Sequence, residues 1–288
     1  MHSKLPAVAL VLAAALASGC GVAARPSDSA ARASAPAGAA SGVVVPAGAQ
    51  SSAASPAGSP SPSPAPLPLA GRVVGIDPGH NGGNFSDPGF INQMIWNGRE
   101  SETCDTTGTE TASGFTEASF NFDVATYLRA DLVAAGAQVV MTRQTNTGVG
   151  PCVTTRAQII NNAHAGVAID IHADGGPTWG RGFAVLEPVA DGPNDAVISG
   201  SLQFGADVRA ALLRETAMPE SNYDGTNGLV SRDDLAGLNL TTVPKILVEC
   251  GNMINSTDAA MLTSPAFQQQ LARAFTAAIT VFLTGQPA

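Results

Sequence analysis

The chain is 288 residues long and 44% hydrophobic, enough to bury a sizeable core in one large domain or two small ones. Its 23 acidic and 14 basic side chains leave a formal charge of −9. That balance provides no basic stripe to displace counterions from nucleic-acid phosphates, and it disfavours binding driven by an anionic membrane surface.

Residues 1–20 carry Lys4, an apolar run from Ala7 to Ala17, and then Ser18-Gly19-Cys20. This is a signal-peptide pattern, and the run is too short for a membrane-spanning helix. Leu16-Ala17-Ser18-Gly19-Cys20 also resembles a bacterial lipobox, with Ala17 where leucine is usual, so Cys20 is a candidate for lipidation and a membrane tether. The alternative is ordinary cleavage in the small residues that follow. Either way the chain is expected in the periplasm, the cell envelope or the medium, where disulfides persist. Cys104 and Cys152 lie in polar, turn-rich surroundings, whereas Cys250 ends an apolar strand, so the expected bridge is Cys104 to Cys152.

From Gly21 to Ala70 the composition is Ala, Pro, Ser and Gly with few charges and no aromatic residue. Such a segment buries too little apolar surface to offset its ordering entropy and reads as a disordered linker. From Gly71 to the end, strand and helix signals alternate. Gly71 to Asp77 predicts a strand that Pro78-Gly79 terminates, presenting His80 at its carboxyl end. Asn81 to Gly114 is a long Gly-, Asn-, Ser- and Thr-rich excursion with Trp96, Arg99, Glu100 and Glu102, read either as the wall of a cleft or as a surface elaboration stapled by Cys104.

Thr116 to Ala135 predicts a helix with Phe120, Val124, Leu128 and Leu132 at fourfold spacing, followed by a strand from Gln138 to Thr142. Further on, the pattern predicts a helix over Thr154–His164, a strand over 166–172, a strand over 183–186, a long helix over 196–216, a strand over 245–248 and a closing helix over 265–283. This alternation implies a single α/β domain over residues 71–288, with a mostly parallel twisted sheet covered by helices on both faces.

Four chemistry-bearing groups fall at predicted element ends. His80 and His172 end strands, Glu117 lies in the first turn of a helix, where its dipole favours a carboxylate, and Glu249 closes a buried apolar strand. Two imidazoles and one carboxylate with an open fourth position form the ligand set of a catalytic zinc. Glu249, costly in such a strand unless paired or catalytic, is then the natural general base.

The segments Ile76-Asp77-Pro78-Gly79-His80, Thr116-Glu117, Thr142-Arg143 followed by Arg156, Ile171-His172-Ala173-Asp174, and Pro244 to Asn252 occur in order from Gly71 onward. Together they resemble the zinc-dependent N-acetylmuramoyl-L-alanine amidases of the amidase_3 type, in particular secreted actinobacterial members that lack wall-binding repeats. The resemblance implies hydrolysis of the amide between the lactyl group of muramic acid and L-alanine of the peptidoglycan stem. It implies one zinc on His80, Glu117 and His172, and Glu249 as the catalytic residue.

Two features depart from that pattern: Gly251-Asn252-Met253 follows the glutamate where the family usually has Gly-Phe, and the stretch from His80 to Glu117 is long. Arg143 and Arg156 read as structural. Arg232, Asp233 and Asn239, in a polar Gly-containing segment ahead of the last strand, are candidates for gripping the stem peptide. The expected partner is peptidoglycan or a muramyl peptide, bound by a monomer and without nucleic acid. The readings that compete are a non-catalytic peptidoglycan-binding module on the same fold and a zinc peptidase acting within the stem.

Overall fold

The computed structural model describes residues 66–286. The expected signal peptide, Cys20 and nearly all of the expected linker lie outside the described residues. The linker's last residues differ from expectation, because Leu69 is fully buried in the main core and its amide donates to the Ala135 carbonyl at 2.9 Å. A composition averaged over fifty residues hides two leucines, Leu67 and Leu69, and one of these is a core side chain.

Eight strands are described: β1 Val73–Pro78, β2 Met94–Trp96, β3 Ser101–Thr103, β4 Gln138–Met141, β5 Val167–Asp174, β6 Ala184–Pro188, β7 Leu229–Arg232 and β8 Lys245–Asn252. The helices are α1 Pro88–Ile91, α2 Glu117–Ala134, α3 Val153–Asn162, α4 Ile198–Glu215, α5 Ala236–Asn239, α6 Ser256–Leu262 and α7 Pro265–Thr284. Six strands form one sheet in the order β4-β1-β5-β8-β6-β7, parallel throughout except where β6 runs against β8. The fold is the expected α/β domain with a mostly parallel sheet. The hairpin of β2 and β3, the strand β7 and the helix α6 are additions, all three or four residues long or polar, below what alternation can reveal.

Side-chain alternation along the strands divides the residues between two unlike faces. Val74 and Ile76 of β1, Val167, Ile169, Ile171 and Ala173 of β5, and Ile246, Val248 and Cys250 of β8 enter a large apolar cluster with α2, α4 and α7. In α2 the fourfold set Phe120, Val124, Leu128 and Leu132 is fully buried there, and the Thr116 side chain caps the helix by accepting from the Ser119 amide. The alternate residues face α3 and α5 across much smaller apolar clusters, around Ile160 with Ala168 and around Leu238 with Leu247. By the same alternation Asp77, Asp170, His172, Lys245 and Glu249 belong to this second face. It is the polar face, and it holds the site.

Cys104 and Cys152 are joined by a disulfide, with Cα atoms 4.8 Å apart, while Cys250 is buried and free among the described residues. The bridge ties the 81–114 excursion to the start of α3. Asn81 and Asn84 fasten the same excursion further, through 2.8 Å hydrogen bonds to the carbonyl and the amide of Gly150.

Candidate metal centre

His80 follows the end of β1 with φ 57°, in the left-handed region that side-chain-bearing residues rarely occupy. The surrounding hydrogen bonds hold it there. Arg156 donates to the carbonyls of Pro78 and His80 at 2.8 and 2.7 Å, Arg143 donates to those of Pro78 and Gly79 at 2.8 and 3.2 Å, and Asn121 adds a bond to Gly79 at 3.1 Å. Both arginines are buried, and their work is structural, as expected. Gly79 is required by proximity: a Cβ on it would overlap the His172 ring. The two imidazoles therefore stand edge to face with centroids 4.8 Å apart.

Glu117, the first residue of α2, reaches both rings with one oxygen. Its Oε1 lies 3.2 Å from His80 Nε2 and 2.8 Å from His172 Nδ1, while its Oε2 accepts from the Thr109 amide at 3.0 Å. Gly108, with φ 72°, lets that loop close down, since a Cβ there would press on Glu117 and His80. One donor atom from each of His80, Glu117 and His172 lies within 4.8 Å of the others.

The electrostatics suit a cation. Burial alone would lower the pKa of His80, but Glu117 and Asp105 outweigh it and raise it to about 9. Burial likewise opposes the charge on His172, yet Asp170 and Glu117 hold its pKa well above the usual value. Glu117, which burial would raise, is drawn well below the carboxylate range by the two imidazoles. The surroundings of the two imidazoles thus favour positive charge beside the Glu117 carboxylate, a demand that a bound divalent cation also meets. The donor set fits Zn²⁺ and leaves a position open for water or substrate.

Glu249 sits beside His172 on the neighbouring strand, in register. Both strands run on, to Asp174 and Asn252, so these residues lie within paired strands and not at their ends as the sequence implies. A register irregularity between His172 and Asp174 lets the pairing continue past the site. The Oε2 atom of Glu249 is buried without a hydrogen-bonding partner among the described residues, and burial pushes the carboxyl up to about 8.

Around these groups is a cleft of about 290 Å³ whose walls include Asp174, Leu186, Arg232 and Leu235, and Gly108 joins it to a larger groove of about 790 Å³ bordered by Phe85, Thr109 and Ile254. Arg232 lines the cleft with its guanidinium braced on Asp234 at 2.6 and 2.8 Å. Asp233, next to Arg232, is half-exposed, does not line the cleft, and pairs with Arg99 of the β2–β3 hairpin at 2.8 Å. Asn239 is different: it is fully buried at the end of α5, and its amide donates to the Asp233 carbonyl at 2.8 Å, so it fastens α5 to the turn before it and does not line the cleft.

Sequence reading missed Tyr223, whose hydroxyl donates to Asp174 at 2.8 Å beside the site. It also assigned no role to Asp105, Asp170 or Lys245. Their signal was a charged residue inside an apolar run, legible at Asp170 and Lys245 but without an evident partner.

The family model described as N-acetylmuramoyl-L-alanine amidase matches residues 74–281. Over 220 residues the chain is 40% identical to the N-acetylmuramoyl-L-alanine amidase Rv3717 of Mycobacterium tuberculosis, covering 76% of this chain and 89% of the relative. The crystal structure of the N-acetylmuramyl-L-alanine amidase Ami1 from Mycobacterium smegmatis superposes with a TM-score of 0.71 at 40% identity, covering 76% of this chain and 99% of that one. The apo form of Ami1 from Mycobacterium abscessus gives 0.70 at 40% identity over 75% and 100%. AmiC2 of Nostoc punctiforme, 22% identical with a TM-score of 0.56 over 75% and 98%, shares the fold.

Proposed function

The chain belongs to the N-acetylmuramoyl-L-alanine amidase family, and we propose that it hydrolyses the amide between the lactyl group of muramic acid and the L-alanine of the stem peptide with one zinc held by His80, Glu117 and His172. The observation that carries this reading is the convergence of those three donors within 4.8 Å beside a buried, unpartnered Glu249 oxygen.

Bound zinc would supply Lewis acidity, polarising the lactyl carbonyl and lowering the pKa of a water. Glu249 takes a proton from the attacking water as its oxygen bonds to the carbonyl carbon. It then gives that proton to the alanine nitrogen as the carbon–nitrogen bond breaks, so the products are a lactyl carboxylic acid and a peptide with a free amino terminus. Burial raises this carboxyl, which favours its holding the proton, while a cation bound beside it would favour the ionised form that takes the proton first. Arg232 on the cleft wall offers a cation to the peptide side of the substrate, and Asp233 beside it in sequence, paired with Arg99, is the second candidate contact.

The substrate lies outside the cytoplasmic membrane, so export through the signal of residues 1–20 belongs to this reading, with Cys20 as the candidate lipid anchor, residues 21–65 as tether and a monomeric catalytic domain at its end. No helix among the described residues is long and apolar enough to cross a membrane. The test is metal content and activity together. The purified protein should carry one zinc per chain, lose muramyl-peptide hydrolysis on chelation and regain it with zinc, and chelator-resistant hydrolysis would contradict the reading.

A further inference from the structure

Behind the two imidazoles runs an unbroken chain of alternating charge. Asp170 Oδ1 faces His172 Nε2 at 3.3 Å, and Asp170 Oδ2 lies 3.3 Å from Lys245 Nζ. Lys245 Nζ donates to Asp77 Oδ2 at 2.8 Å, and Arg156 Nη1 donates to Asp77 Oδ1 at 3.0 Å. Arg156 Nη2 reaches Asp105 Oδ2 at 3.2 Å, and Asp105 Oδ1 meets His80 Nδ1 at 3.3 Å. The path leaves one imidazole at the nitrogen turned away from Glu117 and arrives at the equivalent nitrogen of the other. All five linking residues are buried, none more than 6% exposed.

Five charges with so little water contact are expensive to assemble and are weak evidence for stability as such, since an apolar core of similar volume often does as well. Their placement points to another use. Three carboxylates against two cations leave one negative charge, and the carboxylates sit at both ends, each against a ring nitrogen. Asp170 Oδ1 is buried without a hydrogen-bonding partner among the described residues, and the ring nitrogen of His172 is the donor it faces. A carboxylate on the far nitrogen of a histidine ligand fixes its tautomer and makes the near nitrogen a better donor to a metal. Arg156 adds a second grip, because the nitrogen that holds Asp105 also donates to the carbonyl of His80.

We infer that the arc Asp170–Lys245–Asp77–Arg156–Asp105 is a positioning device for the metal centre, in which Asp170 and Asp105 set the tautomer and orientation of His172 and His80. The inference rests on the zinc reading above. Its residues touch no substrate and act through the two imidazoles. Asp170→Asn and Asp105→Asn leave Lys245 and Arg156 each with Asp77 as partner, so they probe the ends of the arc without stranding a buried cation.

The test measures zinc affinity directly, by competition between the full-length protein and a chromophoric chelator, alongside the thermal midpoint of the metal-free protein. Absorption of the cobalt-substituted protein reports the ligand geometry. Glu187→Gln serves as control, since Glu187 is a buried carboxylate of the same sheet outside the arc. Each arc variant is expected to weaken zinc by about 10- to 100-fold and to alter the cobalt spectrum, with the metal-free midpoint and the Glu187→Gln affinity close to wild type.

Unchanged affinity and spectrum in the arc variants would overturn the inference, as would an equal loss in the Glu187→Gln control. If Asp170→Asn does not fold, Asp105→Asn decides on the same readouts; if neither folds, the arc is structural and the inference falls. A wild-type protein that binds no zinc would instead remove the zinc reading and the arc's role with it, so the two failures are distinguishable.

Discussion

His172 and Glu249 are register partners on the adjacent parallel strands β5 and β8, and both project to the polar face of the sheet. A candidate metal ligand and a candidate base are thereby held side by side by backbone pairing. Neither depends on loop placement. Glu249→Gln keeps the shape and removes the proton acceptor, so zinc content should stay at one per chain while kcat falls by about 10²- to 10⁴-fold. Metal analysis and turnover on the same preparation check both halves, and full activity in this variant would remove Glu249 from the mechanism.

Gly79→Ala tests the closeness of the two imidazoles. Its Cβ would collide with the His172 ring, and overpacking of this kind costs about 1–3 kcal/mol. Because the displaced group is a candidate ligand, the expected result is zinc affinity reduced by about 5- to 150-fold, read by chelator competition.

The acid limb of stability follows from Asp77. Burial alone would raise its pKa, but Lys245 and Arg156 outweigh burial and hold it well below the carboxylate range in the folded state. A folded pKa beneath the unfolded value of about 3.9 means a contribution that is complete above that pH and lost as pH falls toward the folded value. Urea unfolding of the metal-free protein should therefore show stability dropping below about pH 4. Asp77→Asn, which leaves Lys245 with Asp170 and Arg156 with Asp105 as their remaining carboxylate partners, should be weaker by about 3–5 kcal/mol at pH 7 and lose less on further acidification.

The disulfide spans 48 residues of sequence, so opening it frees a long loop in the unfolded chain. Cys104→Ser with Cys152→Ser is expected to lower stability by about 2–4 kcal/mol. The asparagine bonds from Asn81 and Asn84 to Gly150 remain to hold the excursion. Denaturation midpoints under non-reducing conditions measure the difference.

Much of this arrangement is legible in the sequence, for reasons that particular residues make plain. Phe120, Val124, Leu128 and Leu132 announce α2 because a helix must repeat its buried face, and all four are buried. His80 stands out because Pro78-Gly79 stops a β-branched run just before it. Cys104 and Cys152 could be paired by the polarity of their surroundings alone.

What stayed hidden depends on register between strands. Nothing local shows that Lys245 and Asp77, 168 residues apart, meet at 2.8 Å. Asn239 reads as a polar loop residue, yet it ends the short helix α5 and is fully buried. The true reach of β5 and β8 past His172 and Glu249 is set by pairing to each other, across residues such as Asp174 and Asn252 that carry little strand propensity of their own.

The bond that is cut is the central claim, and isotope placement tests it most directly. A defined muramyl peptide is digested in ¹⁸O-enriched water and the products are read by mass spectrometry. The predicted result is one ¹⁸O in the lactyl carboxyl group of muramic acid and an unlabelled peptide beginning with free alanine, with no products when chelator is present. Label on a carboxyl group inside the stem peptide, or intact lactyl-alanine linkages after complete digestion, would contradict it.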